Sequence, residues 1–247
     1  MRPFLRPKSS REKRKSLLSE LNAVKAVMFD AGGTLVHLDS PRICTRIKTE
    51  LGVAADPEQF GRAQSLAWMK IRHLMGGGSA EKLRREYYST LLPDLGVPAD
   101  LMPAAIDLVL KLLEAEMLWS RTLESTASIL AELKQHGLIL AVVSNSDGRV
   151  ESALRHVGLA NYFEFILDSF VVGVEKPDPL IFELAARRAG VAPQETVYVG
   201  DLYSVDVAGS RRAGMIPVLY DQHDLHPAVD CLRIRDLGEL PLLLFHK

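Results

Sequence analysis

The feature that most constrains this chain is a set of short apolar runs, each followed by polar or charged residues. Ala23 to Phe29, Leu138 to Val143, Phe163 to Leu167, Thr196 to Val199 and Ile216 to Tyr220 are rich in aliphatic and aromatic side chains. Continuous apolar runs of this length fit strands buried on both faces, as in a parallel sheet. From the second run onward they alternate with helical patterns over Asp147 to His156, Pro179 to Ala189 and Ser204 to Ala213. These patterns stop at Gly158, Gly190 and Gly214, residues suited to the position just past a helix. Strand and helix in alternation predict a doubly wound, Rossmann-like α/β core.

The first connection breaks the alternation. Roughly a hundred residues separate Asp30 from Leu138, whereas a parallel crossover needs about a dozen or more. The excess reads as an insertion with helical signals. Ser40-Pro41 and Asp56-Pro57 each place a capping residue before a proline, Gly52 can end the first helix, and Gly76-Gly77-Gly78 interrupts the pattern before Ser79 caps another helix. Periodic Leu and Ile from Leu101 to Leu118 suit a bundle core. The expected organisation is a basic extension over 1–22, a core over 23–39 and 123–247, and an all-helical cap domain over 40–122.

Composition narrows the function classes. The 247 residues contain 47% hydrophobic and 25% charged side chains and carry a net charge of −1, so no field for collecting nucleic acid is present. The first fifteen residues are an exception, with Arg2, Arg6, Lys8, Arg11, Lys13, Arg14 and Lys15 against Glu12. This arm reads as a solvated extension. It lacks the apolar segment of a signal peptide, and no stretch approaches the ~20 apolar residues of a membrane span, so a cytoplasmic protein with no nucleic-acid partner is expected. Cys44 and Cys231 lie far apart without metal-site spacing and read as idle thiols. Oligomeric state has no signature in the sequence.

Ligands of open parallel sheets bind outside the carboxyl ends of the strands, and the chemically able residues cluster there. Asp30 follows the first run, Ser144 and Asn145 the second, Lys176 lies in the loop after the third, and Gly200-Asp201 follows the fourth with Asp206 shortly after. Carboxylates, a lysine and a hydroxyl near a helix start suit a divalent cation and a phosphate: Asp30 and Asp201 as oxygen ligands, Ser144 and nearby backbone N–H groups on phosphate oxygens, and Lys176 balancing charge. Asp30 is then placed to attack phosphorus. Asp178, between two prolines, reads as a helix cap, and Trp68, Tyr87, Tyr88 and Trp119 as core.

Four segments, "DAGGTL", "SNSDG", "EKPDP" and "GDLYSVD", stand in order at these strand ends. In them the chain resembles the haloacid dehalogenase superfamily, in the branch whose helical cap follows the first strand, from about Val24 to Tyr220. The resemblance implies Asp30 as nucleophile, Ser144 as phosphate binder with Asn145 beside it, Lys176 as charge partner, Asp201 as Mg²⁺ ligand, Asp206 as supporting acid, and the Gly32 carbonyl as a further ligand. It implies a phosphatase acting on a small phosphorylated metabolite.

One position departs from that pattern. The family's phosphatases carry a second Asp two residues after the nucleophile, where this chain has Gly32. A missing general acid/base typically lowers the rate about 10²- to 10⁴-fold, or roughly 3 to 5 kcal/mol of barrier. Related 2-haloacid dehalogenases and phosphonate hydrolases also lack this acid. The dehalogenases use no metal, and the phosphonate enzymes need a cap lysine, for which Lys48, Lys70 and Lys82 are available. A non-catalytic binding or regulatory role is the remaining alternative. His37 is a candidate replacement acid/base.

Overall fold

The structure is a computed structural model that describes residues 20–71 and 80–245. The basic residues Arg2 to Lys15, the Gly76-Gly77-Gly78 break and the Ser79 cap lie outside the described residues. A 3-10 turn, Leu21–Ala23, precedes the first strand, and Leu21 is buried, so the expected extension over 1–22 gives way to folded chain before its end.

Among the described residues eight strands follow in chain order: β1 (Ala26–Phe29), β2 (His37–Leu38), β3 (Trp119–Arg121), β4 (Ile139–Ser144), β5 (Phe165–Asp168), β6 (Thr196–Gly200), β7 (Ile216–Tyr220) and β8 (Leu232–Ile234). Six of them form one sheet in the order β5-β4-β1-β6-β7-β8, every neighbouring pair parallel. The chain winds outward from β1 through β4 to β5, then returns to the other side of β1 and continues through β6 and β7 to β8. The reversal falls between β1 and β6, the position where open α/β sheets bind ligands. All four residues of β1 are buried, as its apolar run requires of a central strand. Met28 stands in register with Ala141 on one side and Tyr198 on the other.

The helix Pro179–Ala189 covers the β1, β4, β5 and β6 side chains with Ile181, Phe182, Ala185 and Ala186. It begins at Asp178, whose side chain accepts from Leu180 N, and ends at left-handed Gly190. The helix expected from Asp147 begins only at Val150 and runs to His156. The one expected over Ser204 to Ala213 is a π-helical turn, Tyr203–Val207, continued by the α-helix Ala208–Arg212. β8 has no counterpart among the sequence expectations: it is a three-residue edge strand with Arg233 at its centre, too short and polar to register as an apolar run.

The residues Val36–Thr122 form a second compact unit. It has helices at Ser40–Leu51, Phe60–Ile71, Ala80–Leu91 and Met102–Ala115. Ile43, Ile47, Phe60, Leu91, Leu92, Val109 and Leu112 fill its core. Full burial of such side chains stabilises by about 1.5–3 kcal/mol each. Tyr87 and Tyr88 are buried in this core, with Trp68 and Trp119 packed against it. The unit is not all-helical, because β2 and β3 pair antiparallel where the chain enters and leaves it, and Asp39 N donates to Leu118 O at 2.8 Å. Its boundary therefore lies at 36 rather than 40. The first helix is capped by Asp39, which accepts from Arg42 N, and not by Ser40; the Ser40 hydroxyl donates to Pro57 O. Asp56 accepts from Glu58 N and Gln59 Nε2 in a turn ahead of the second helix.

Candidate active site

Asp30 leaves the end of β1 with its N–H bonded to Val199 O of β6 at 2.8 Å, which sets the residue at the reversal point of the sheet. Lys176 reaches it from the loop after β5: Nζ lies 2.6 Å from Asp30 Oδ1 and 2.8 Å from Asp206 Oδ1. Asp206 sits in the π-helical turn, where its Oδ2 accepts from Leu202 N at 2.9 Å. Such turns occur frequently at functional sites. β6 must end in glycine for this carboxylate to fit, because a β-carbon on Gly200 would lie 2.6 Å from both Cβ and Oδ2 of Asp206.

Asp201 completes the cluster. Among the described residues Asp30, Asp201 and Asp206 each bring a carboxylate oxygen within 4.8 Å of the others. Asp201 Oδ1 is a buried atom with no hydrogen-bond partner among the described residues, a costly state for a carboxylate oxygen unless a cation takes it. The turn after Asp30 is shaped around this group. Gly33 has φ 85°, and a β-carbon there would stand 2.6 Å from Asp201 Oδ2.

The electrostatics follow from three neighbouring carboxylates, two of them paired with one buried ammonium. Burial drives the Asp201 carboxyl well above the ordinary carboxylate range, and the charges of Asp30 and Asp206 push the same way. Burial also pushes Asp206 up to about 6, with Lys176 pulling against it and Asp30 adding to it. Lys176 resists its own burial because Asp206 and Asp30 outweigh it, so its ammonium holds its proton well above the usual lysine range. The excess of acids over cations makes this a cluster that can hold a metal ion through hard oxygen donors.

The remaining expected residues serve in different ways. Ser144 ends β4 and is buried. Asn145 spends its side chain on the lysine loop, donating from Nδ2 to Lys176 O and accepting from Lys176 N at Oδ1, both at 2.8 Å. The N–H groups after it are partly engaged, Ser146 N with Ser169 Oγ and Gly148 N with Asp168 Oδ2. His37, the candidate replacement acid/base, lies in β2 opposite Arg121. Lys70 pairs with Asp94; Lys48 is exposed on the first helix of the inserted unit and Lys82 lies on the third. Burial pushes both Cys44 and Cys231 up to about 11, which fits unreactive thiols.

Two residues carry no signal strong enough to single them out in the sequence. Tyr198, inside β6, accepts at its hydroxyl oxygen from Lys176 Nζ, 3.1 Å away; the sign of it is one phenol in an aliphatic run, in phase with Gly200. Asp168 ends β5 and accepts from Gly148 N and Phe170 N, a strand-end acid like Asp30.

Residues 24–214 match the family described as haloacid dehalogenase-like hydrolase. The chain belongs to this family of hydrolases. Haloacid dehalogenase-like hydrolase domain-containing protein 3 of Mus musculus is 41% identical over 121 residues, 49% of this chain and 48% of that protein. The chain thus spans about half the length of the curated relatives it first matches. The glyceraldehyde 3-phosphate phosphatase of Methanopyrus kandleri is 29% identical over 202 residues, 79% of this chain and 83% of the relative. A HAD phosphatase from Thermococcus onnurineus shares the fold with a TM-score of 0.60 at 24% identity, covering 91% of this chain and 99% of its own. Among the described residues no helix is long and apolar enough to cross a membrane.

Proposed function

We propose that this hydrolase is a Mg²⁺-dependent phosphatase that cleaves small phosphorylated metabolites through an aspartyl-phosphate on Asp30. The observation that carries the reading is the cluster of Asp30, Asp201 and Asp206, the first and last paired with Lys176, in which Asp201 Oδ1 lacks a hydrogen-bond partner among the described residues. The donor set is all oxygen, as Mg²⁺ prefers. Asp30, Asp201 and the Gly32 carbonyl would hold the ion, with Asp206 supporting them. Bound there, Mg²⁺ supplies neutralisation of the carboxylates and of the charge on the phosphoryl oxygens.

The protein's own part begins with Lys176, which fixes the Asp30 carboxylate through Oδ1. Asp30 attacks phosphorus, the bond from phosphorus to the leaving oxygen breaks, and water then hydrolyses the acyl phosphate to inorganic phosphate and a free carboxylate. Ser144 binds a phosphoryl oxygen. Asn145 contributes through Lys176, whose backbone it clamps. Gly32 leaves the leaving oxygen without the family's usual proton donor, so turnover favours substrates whose leaving groups are stable anions. The inserted unit corresponds to the family's cap and carries substrate selection in this reading. Relatives named as phosphatases of glyceraldehyde 3-phosphate and phosphoserine support the substrate class.

The test is a screen of purified protein against phosphorylated metabolites and 2-haloacids, with and without Mg²⁺. The reading expects Mg²⁺-dependent release of phosphate. Metal-independent release of halide would assign the dehalogenase chemistry instead, and no turnover of either class would leave a binding role.

A further inference from the structure

We propose that Tyr198 is a positioning residue of this site, and that its hydroxyl fixes the Lys176 ammonium between Asp30 and Asp206. The proposal deepens the phosphatase reading, and its decisive measurement does not depend on turnover. Tyr198 lies in β6 and is 1% exposed. Its oxygen stands 2.8 Å from Val143 O, 3.1 Å from Lys176 Nζ and 3.4 Å from Asp206 Oδ1. The hydroxyl has one proton, and its bond to the Val143 carbonyl, at 2.8 Å, has normal hydrogen-bond length, whereas Asp206 Oδ1 at 3.4 Å lies beyond it. Its lone pairs then face the ammonium.

An ammonium has three protons and no acceptor. Lys176 meets three acceptors, Asp30 Oδ1, Asp206 Oδ1 and Tyr198 Oη. Every proton of a group with a 3% exposed side chain is thereby used, and the ammonium has a single orientation. Without the phenol, one buried N–H would lose its partner and the group could turn away from Asp30. The tyrosine is itself held. Phe182 packs edge-on against its ring at a centroid distance of 4.8 Å, and its donor bond anchors it to Val143, the residue before Ser144. One hydroxyl therefore links the proposed phosphate binder's strand, the lysine and the nucleophile across β4, β1 and β6.

Tyr198→Phe removes the oxygen and keeps the ring. Two readouts test it. The first is the ¹⁵Nζ signal of Lys176 in heteronuclear NMR, assigned by its loss in Lys176→Met. Wild type should give a slowly exchanging ammonium resonance, and Tyr198→Phe should broaden or remove it. The second is steady-state kinetics with an aryl phosphate. A hydrogen bond to a charged group implies a fall in kcat of about 10- to 100-fold, and KM should stay within about twofold because Tyr198 acts through Lys176. A wild type without the slow signal overturns the proposal even if the variant does not fold. An unchanged signal in folded Tyr198→Phe also overturns it. If wild type shows the signal and the variant loses it, yet neither hydrolyses any phosphate ester, the positioning role stands and the phosphatase reading falls.

Discussion

Replacing Gly33 by alanine tests how the first turn builds the site. Gly33 holds φ 85°, and its absent β-carbon would lie 2.6 Å from Asp201 Oδ2 and 3.0 Å from Asp201 Cγ. The left-handed backbone alone costs an L-residue roughly 1–2 kcal/mol. Ordinary contact between non-bonded heavy atoms is about 3.5–4.0 Å, so the Asp201 carboxylate must retreat by about 1 Å. A shift of that size in a catalytic constellation can cost roughly 10²-fold, and here it falls on a proposed metal ligand.

Gly190 provides the control in the same unit, with φ 69° and, among the described residues, nothing within 4 Å of the place its β-carbon would take. Gly190→Ala therefore carries the backbone strain without the collision. Calorimetry should show a lower Tm for both variants, by about 2–4 °C per kcal/mol for a chain of this size class. Isothermal titration with Mg²⁺ should show about tenfold or more weaker binding for Gly33→Ala only. Wild-type Mg²⁺ affinity in a folded Gly33→Ala protein would refute the reasoning, as would equal loss of affinity in Gly190→Ala.

Gly32→Asp should raise the ratio of alkyl to aryl phosphate turnover at saturating Mg²⁺, because an alkoxide needs a proton in the transition state more than a phenolate does; an unchanged ratio in a folded, metal-binding variant would exclude Gly32 as a vacant acid/base position. Asp221 follows β7 and is buried, which would raise its pKa. The Arg233 ion pair and the N–H groups of His226 and Leu225 outweigh that and hold it below the usual range. Its stabilising contribution is thus complete above the unfolded value of about 3.9 and is lost as pH falls through the lower folded value. Asp221→Asn should lower Tm at pH 7, with the gap to wild type closing in strong acid. A gap independent of pH would show that the carboxylate charge is not what matters.

The core was legible because five strands are continuous apolar runs whose polar residues follow at the carboxyl ends of a parallel sheet. Asp30, Lys176, Asp201 and Asp206 are brought together by that topology. Other features depend on three-dimensional neighbours. β8 is short and carries Arg233, drawn out to Asp221 and Asp224, so its composition hides it. Asp39 displaces Ser40 as a cap because both residue types are able caps and only the turn decides between them. The ribbon of β2 and β3 joins segments roughly eighty residues apart by pairs too short to have a period. Tyr198 reads as one more large apolar residue until the acceptors round its hydroxyl are seen.

A covalent intermediate on Asp30 is central to the proposed chemistry, and rapid acid quench during turnover of an aryl phosphate with Mg²⁺ tests it directly. Proteolysis and mass spectrometry of the quenched protein should find a phosphoryl group on the peptide containing Asp30. The signal should build within the first turnover and be absent from Asp30→Asn, which should also be inactive while folded. Sustained hydrolysis by purified Asp30→Asn, or wild-type turnover with no phosphoryl group on that peptide at any quench time, would contradict the claim.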